Sequence, residues 1–249
     1  MNEELIELYK KTSKHSNYQV LPSSLKNIIE GSIQPLISRY ENERLDFLKK
    51  HLSFKNKKVL DIGGNTGFFS FEAIEAGAAQ VTLIEGNLAH ETFVKKAAEA
   101  INKKIITHNL YLDFKTNIPG PQYDIVLLFN VIHHLGDDFG NKTIALEQAK
   151  QEMQNAINFF SDKTDVLVLQ MGFCWKGDRD LSLFENGTKQ EMIDFIGNAI
   201  KDKWEIQTIG IAQEIDGNTN FNELNDENIK RYDSLGEFRN RPIFILKSI

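Results

Sequence analysis

One cysteine stands among 249 residues. Cys174 by itself cannot build an intramolecular disulfide framework. No run of 18 apolar residues occurs, and nothing has the order of a signal peptide, so neither a membrane span nor a secreted scaffold is expected. Basic residues are also in deficit. Twenty-nine Lys and Arg against 35 Asp and Glu give a formal charge of −6, with a pI near 5.6. Such a balance supplies no global basic field for nucleic acid or anionic membrane, although a local patch stays open. Internal repeats and low-complexity tracts are absent. These absences leave a soluble cytoplasmic protein with a small-molecule partner as the expectation.

Apolar residues make up 41% of the chain, enough for a sizeable core in one large domain with an extension. Residues 1–54 read as a helical N-terminal extension. Ile37, Tyr40, Arg44, Leu45, Leu48 and Leu52 recur there at three- and four-residue steps, and Pro22 and Pro35 divide it into pieces. Over residues 55–249 apolar strands alternate with amphipathic helices, the pattern of a parallel sheet covered by helices. Strands are expected over 58–62, 81–85, 105–109, 124–129, 166–171, 205–212 and 243–247, and helices over 67–75, 89–101, 143–160 and 189–200. Thr188 and Glu191 have the spacing of a capping box, and Gly77 can end the helix before it. Only a polar stretch joins the last two strands, which suits an antiparallel pair. Pro242 opens the last strand, where a missing donor does least harm.

The stretch "VLDIGGNTGFFSFE", 59–72, runs from a strand through glycines into a helix. In an open parallel sheet that turn is where ligands bind. Gly63, Gly64 and Gly67 let backbone approach a ligand and adopt positive φ, and Asn65 also tolerates that conformation. A dinucleotide fingerprint from Gly63 would need glycines where Asn65 and Phe68 stand, and no Gly-Lys-Ser or Gly-Lys-Thr follows for a Walker loop. Glu85 ends the second strand, placed to accept hydrogen bonds from two ribose hydroxyls.

"DIGGNTG" resembles the first motif of class I S-adenosylmethionine-dependent methyltransferases, with Asn65 at a position where that family has glycine. The resemblance covers about residues 55–249. It implies an α/β, Rossmann-like sheet of seven strands, mostly parallel with one reversed C-terminal strand, and S-adenosylmethionine as cofactor. Asp61 would meet the methionine amino end, Gly63, Gly64, Asn65 and Gly67 would form the floor, and Glu85 would hold the ribose. Asp113 in "HNLYLDF" would take the adenine amino group, with Asn109 behind it. The absence of an Asn-Pro-Pro-Tyr-like motif argues against amino methylation of adenine.

The fourth strand leads into "NVIHHLGDD". Methyl transfer to oxygen or nitrogen is an in-line displacement that needs positioning and, for a hydroxyl acceptor, a base. Asn130, His133 and His134 are the catalytic candidates, His133 ahead of His134 and Asn130 also as a cofactor contact, and the histidines have packing as their alternative role. His133, His134, Asp137 and Asp138 could ligate a metal, but ligands so close along one segment seldom all reach one ion, and no metal is expected. The loop after the fifth strand offers Gln170, Trp175, Lys176, Asp178 and Arg179 to an acceptor, with Trp175 as platform or core anchor. Cys174 reads as a small apolar residue. Near the N-terminus, Tyr9, Lys14, His15, Tyr18 and Gln19 are candidates for a lid over the acceptor, the alternative being a solvated terminus. Glu41 and Arg44 form an i, i+3 helix pair.

The expected activity is methyl transfer to a polar small molecule, such as a sugar or sugar-nucleotide hydroxyl in tailoring of surface polysaccharides. A transfer-RNA-modifying transferase and a nucleotide-binding module without methyl transfer are the alternatives, with a degenerate scaffold subunit a third.

Overall fold

The computed structural model describes residues 2–10, 19–29, 31, 38–120 and 122–249. Among these residues eight strands occur, in the order β3-β2-β1-β4-β5-β8-β6-β7. They are β1 (Lys58–Ile62), β2 (Gln80–Glu85), β3 (Ile105–Asn109), β4 (Tyr123–Phe129), β5 (Thr164–Gln170), β6 (Trp204–Ile215), β7 (Asn218–Glu223) and β8 (Ile243–Ser248). The helices are α1 (Asn2–Lys10), α2 (Ser23–Ile29), α3 (Glu41–His51), α4 (Phe68–Glu75), α5 (Leu88–Ala100), α6 (Leu146–Asn158), α7 (Lys189–Ala199) and the single turn α8 (Gly236–Arg239). The chain divides into two compact units, Met1–Tyr111 with Pro119–Asp124, and Leu112–Ile118 with Ile125–Ile249.

In the first unit β1, β2 and β3 pair in parallel, with Val59 opposite Val81 and Val81 opposite Ile105. Val59 to Ile62 are all buried, which is why this strand reads as a continuous apolar run rather than an alternating one. Gly67 precedes α4 with φ 81°, and the chain leaves that helix through Gly77 at φ 91°. There Gly77 N–H donates to Ile74 and Ala78 N–H to Ala73, so the glycine expected to stop the helix does so in a Schellman-type turn. Asn87 caps α5 by accepting from the N–H groups of Ala89 and His90.

The helices that precede β1 belong to this unit's core. Leu5, Tyr9, Leu21, Leu25 and Ile29 are buried against Phe71, Leu83, Phe93, Val94 and Ala97. Tyr9 and Phe93 have ring centroids 5.2 Å apart. The buried Glu72 accepts from Ser23 N–H at 2.7 Å, tying the start of α2 to α4.

In the second unit β8 runs antiparallel to both β5 and β6, as expected for the last strand. The expected count of seven strands is corrected to eight. Asp216 and Gly217 take positive φ, 52° and 77°, and turn β6 directly into β7. The extra strand was hidden because "NTNFNE" is an edge strand with only Phe221 buried, so it lacks an apolar run. The Asp-Gly dipeptide was its signal. Both halves of the expected capping box of α7 form between Thr188 and Glu191. Lys189, in the same first turn, is fully buried and donates to the carbonyls of Asn228 and Lys230.

Candidate active site

In the first unit the loop after β1 alternates conformations. Gly63, Asn65 and Gly67 have φ of 64°, 53° and 81°. Asn65 can replace a glycine here because asparagine is among the few side chains that tolerate the left-handed region. Its N–H donates to Glu85 Oε2 at 2.8 Å, and Asn87 N–H donates to Glu85 Oε1 at 2.8 Å. Two backbone donors thus hold the buried Glu85 carboxylate at the end of β2. A carboxylate has roughly four acceptor positions, so this anchoring is compatible with further donors such as vicinal hydroxyls.

Asp61 is buried beneath the same loop, and Ser70 Oγ donates to its Oδ2 at 2.7 Å. Burial pushes its carboxyl up to about 6, with the Ser70 hydrogen bonds and then the Arg44 charge acting in the opposite direction. Gly64 makes the close approach possible, since a Cβ there would come within 2.6 Å of Asp61 Oδ2 and also strike Leu83. Arg44 is buried as well, 5.0 Å from the Phe69 ring centroid and 3.9 Å from Glu41. The Glu41–Arg44 helix pair is therefore a buried neighbour of Asp61. Gln19 Oε1 accepts from Thr66 Oγ1 and Phe68 N–H, capping the start of α4. This donor and acceptor set fits S-adenosylmethionine, with a buried carboxylate for an ammonium, a second for hydroxyls and bare backbone between them.

In the second unit Asn130 follows β4 with φ 59°. Arg241 Nη1 donates to its Oδ1 at 2.7 Å, and its Nδ2 donates to Gln170 Oε1 at 3.2 Å. Gln170 Nε2 in turn donates to the Arg241 carbonyl at 3.1 Å, closing a ring. Glu237 grips Arg241 through Nε and Nη2, and it also accepts from Phe173 N–H at 2.9 Å. His133 is buried, and its Nδ1 accepts from Gly172 N–H at 3.1 Å, which places the proton of the neutral ring on Nε2. His134 Nδ1 lies 3.7 Å from Asp138 Oδ2. Ligating atoms of His134, Asp137 and Asp138 lie within 4.8 Å of one another, and His133 is not among them. Asp113 makes its own turn, Oδ1 accepting from Lys115 N–H and from Thr116 N–H and Oγ1, and these bonds hold it below the usual carboxylate range. Beside it a cavity of about 620 Å³ is floored by Phe114, Leu135 and Phe139 and rimmed by Gln148, Gln151 and Asn155 of α6 and its first turn.

No protein-family model matches the chain, and no curated protein sequence matches it. Solved structures do. The bifunctional kinase-methyltransferase WbdD superposes over 98% of this chain and 46% of its own with a TM-score of 0.59 and 14% identity. Magnesium protoporphyrin IX methyltransferase (ChlM) from Synechocystis PCC 6803, with bound S-adenosylmethionine, superposes over 98% and 89% with 0.51 and 13%. The 16S rRNA methyltransferase RmtF, in complex with S-adenosylhomocysteine, superposes over 85% and 64% with 0.51 and 11%. The chain has the class I methyltransferase fold. It spans just under half the length of the WbdD chain that it matches.

On this methyltransferase fold the sequence candidates separate. Asp61, the glycine loop and Glu85 lie together in the first unit, joined by the Asn65–Glu85 hydrogen bond. Asn130, His133 and Gln170 share the second unit with Arg241, Glu237 and Gly172, which sequence reading did not single out. Tyr9 is not at a lid surface. Its ring is in the core, and its hydroxyl donates to the Gln19 carbonyl at 2.6 Å. Lys14, His15 and Tyr18 lie outside the described residues. Trp175 is the core anchor, not an open platform, because its indole N–H donates to the Leu135 carbonyl and Lys176 Nζ sits 4.3 Å from its ring centroid. Lys176 Nζ also donates to the Lys142 carbonyl. Burial raises the Cys174 thiol, in keeping with an inert role. Tyr111 and Leu88 were missed; they are 56% and 64% exposed beside the end of β2, and a Cβ on Gly86 would collide with the Tyr111 ring.

Proposed function

We propose that this protein is an S-adenosylmethionine-dependent methyltransferase acting on a polar small molecule, with a sugar or sugar-nucleotide hydroxyl as the acceptor to test first. The observation that carries the cofactor reading is the fixed Glu85 carboxylate, held by Asn65 and Asn87 N–H groups across from a buried Asp61. S-adenosylmethionine supplies an electrophilic methyl group when bound. Asp61 would take its ammonium, Glu85 its ribose hydroxyls and Gly63 to Gly67 its underside, all within the first unit.

The chain's own contribution to the reaction is then positioning and one proton. Asn130 has its amide orientation set at both ends, by Arg241 and Gln170, so it aligns a partner without searching rotamers. His133 is a poor base in this arrangement, since Nδ1 already accepts the Gly172 N–H and Nε2 carries the ring proton. We assign the base to His134, whose imidazolium form the neighbouring Asp138 carboxylate would stabilise. The formal charge of −6 gives no field for an RNA acceptor. Calorimetry on Glu85→Ala tests the cofactor reading. Loss of charged hydrogen bonds should weaken S-adenosylmethionine binding by about 1–3 kcal/mol, and unchanged affinity would refute the site.

A further inference from the structure

We propose that Arg241 and Asn130 form an anchor for an anionic group, carboxylate or phosphate, on the methyl acceptor; this deepens the methyltransferase reading above and rests on it. A guanidinium has five N–H donors in a fixed plane. Glu237 engages Nε and Nη2 of Arg241, and Asn130 engages Nη1. One N–H on each Nη is left, and the Asn130 amide keeps a second hydrogen on Nδ2. Both side chains are partly buried, with Arg241 13% exposed. These donors sit next to one another because Arg241 and Asn130 are bonded at 2.7 Å. Donors held side by side and partly desolvated match an acceptor-only group, which is what a carboxylate or phosphate oxygen is.

The surroundings hold that array still. Glu237 is itself bonded to Phe173 N–H, so the ion pair is fastened to the backbone just beyond β5. Gly172 lacks a side chain where one would come within 3.1 Å of Arg241 Nη2, which leaves room for the guanidinium at this point of the chain. Arg231 lies 5.6 Å from the Phe173 ring centroid, with its Nε bonded to Asp233. Burial and then Glu237 raise the Cys174 thiol, while Arg241, Arg231 and Arg179 each pull it down. Glu237 and Asp233 offset two of them. Recognition therefore rests on the direction of the remaining N–H groups more than on net field.

The test is ligand-observed NMR on the full chain, titrating inorganic phosphate and, separately, acetate, with and without S-adenosylhomocysteine. One of the two anions should bind the wild type, Arg241→Gln should weaken it about tenfold or more, and Arg241→Lys should fall between. Preference for phosphate assigns a phosphoryl group, and preference for acetate a carboxylate. Asn130→Ala, which leaves the Arg241–Glu237 pair in place, should also weaken binding. No anion binding by wild type, or equal binding by wild type and Arg241→Gln, overturns the proposal. The samples without S-adenosylhomocysteine report on the anchor alone, whereas failure of the wild type to bind S-adenosylhomocysteine counts against the methyltransferase reading.

Discussion

Asp61 ties the stability of the first unit to its capacity for a cationic ligand. Its carboxyl is pushed up to about 6 from the ordinary 3.8 by burial, even with Ser70 and Arg44 acting against the shift. Between those values the folded chain holds a proton that the unfolded chain has lost. Stability therefore falls as pH rises through that window and stays lower above it. One pKa step corresponds to about 1.4 kcal/mol, so burying the ionised form above pH 6 costs at most about 3 kcal/mol. Asp61→Asn removes the charge and keeps an oxygen that can accept from Ser70. Its amide also brings donors into a buried place, which reduces the gain. The variant should be more stable than wild type by about 1–3 kcal/mol at pH 8 and nearly equal to it at pH 4. Urea unfolding followed by far-ultraviolet circular dichroism, which reports on the helices and strands of both units, reads this. A difference of the same sign and size at both pH values would refute the reasoning. The same linkage makes binding of S-adenosylhomocysteine, which carries the ammonium, strengthen as pH rises through about 6, because the ligand needs Asp61 ionised.

Gly172→Ala would put a Cβ within 2.8 Å of His133 and 3.1 Å of Arg241; overpacking should cost about 1–3 kcal/mol and lower turnover, measured by unfolding and by methyl transfer. His134→Ala should reduce kcat about a hundredfold or more if it is the base, with S-adenosylhomocysteine affinity unchanged in calorimetry. Removing the α7 cap by Thr188→Ala should destabilise the chain by about 1 kcal/mol in urea unfolding. Cofactor affinity should not move, since that cap lies in the second unit.

Local chemistry was legible in the sequence wherever neighbours along the chain decide the outcome. The buried run of β1, the glycines of the following loop and the Thr188–Glu191 box each carry their signal within a few residues. Asn65 shows why a departure from a motif need not break it, since its φ of 53° is one that asparagine accepts. What sequence reading missed depends on distant pairs. Arg241 meets Asn130 across 111 positions, and Gln19 reaches Phe68 across 49. No local pattern encodes either contact. Tyr9 read as part of a polar lid because its neighbours from residue 10 onward are polar, yet Leu5 and Tyr9, four apart on α1, face the same apolar cluster. Trp175 read equally as platform or anchor, and a single hydrogen bond to Leu135 separates the two. The preference for His133 over His134 rested on position alone, whereas the base assignment made above rests on which ring nitrogen the Gly172 N–H occupies.

The most direct measurement is parallel calorimetry of the wild-type chain with S-adenosylmethionine, S-adenosylhomocysteine and NAD. Binding of the first two without NAD is the expected result. Binding of NAD alone, or of none of the three, would contradict a cofactor site built on Asp61 and Glu85.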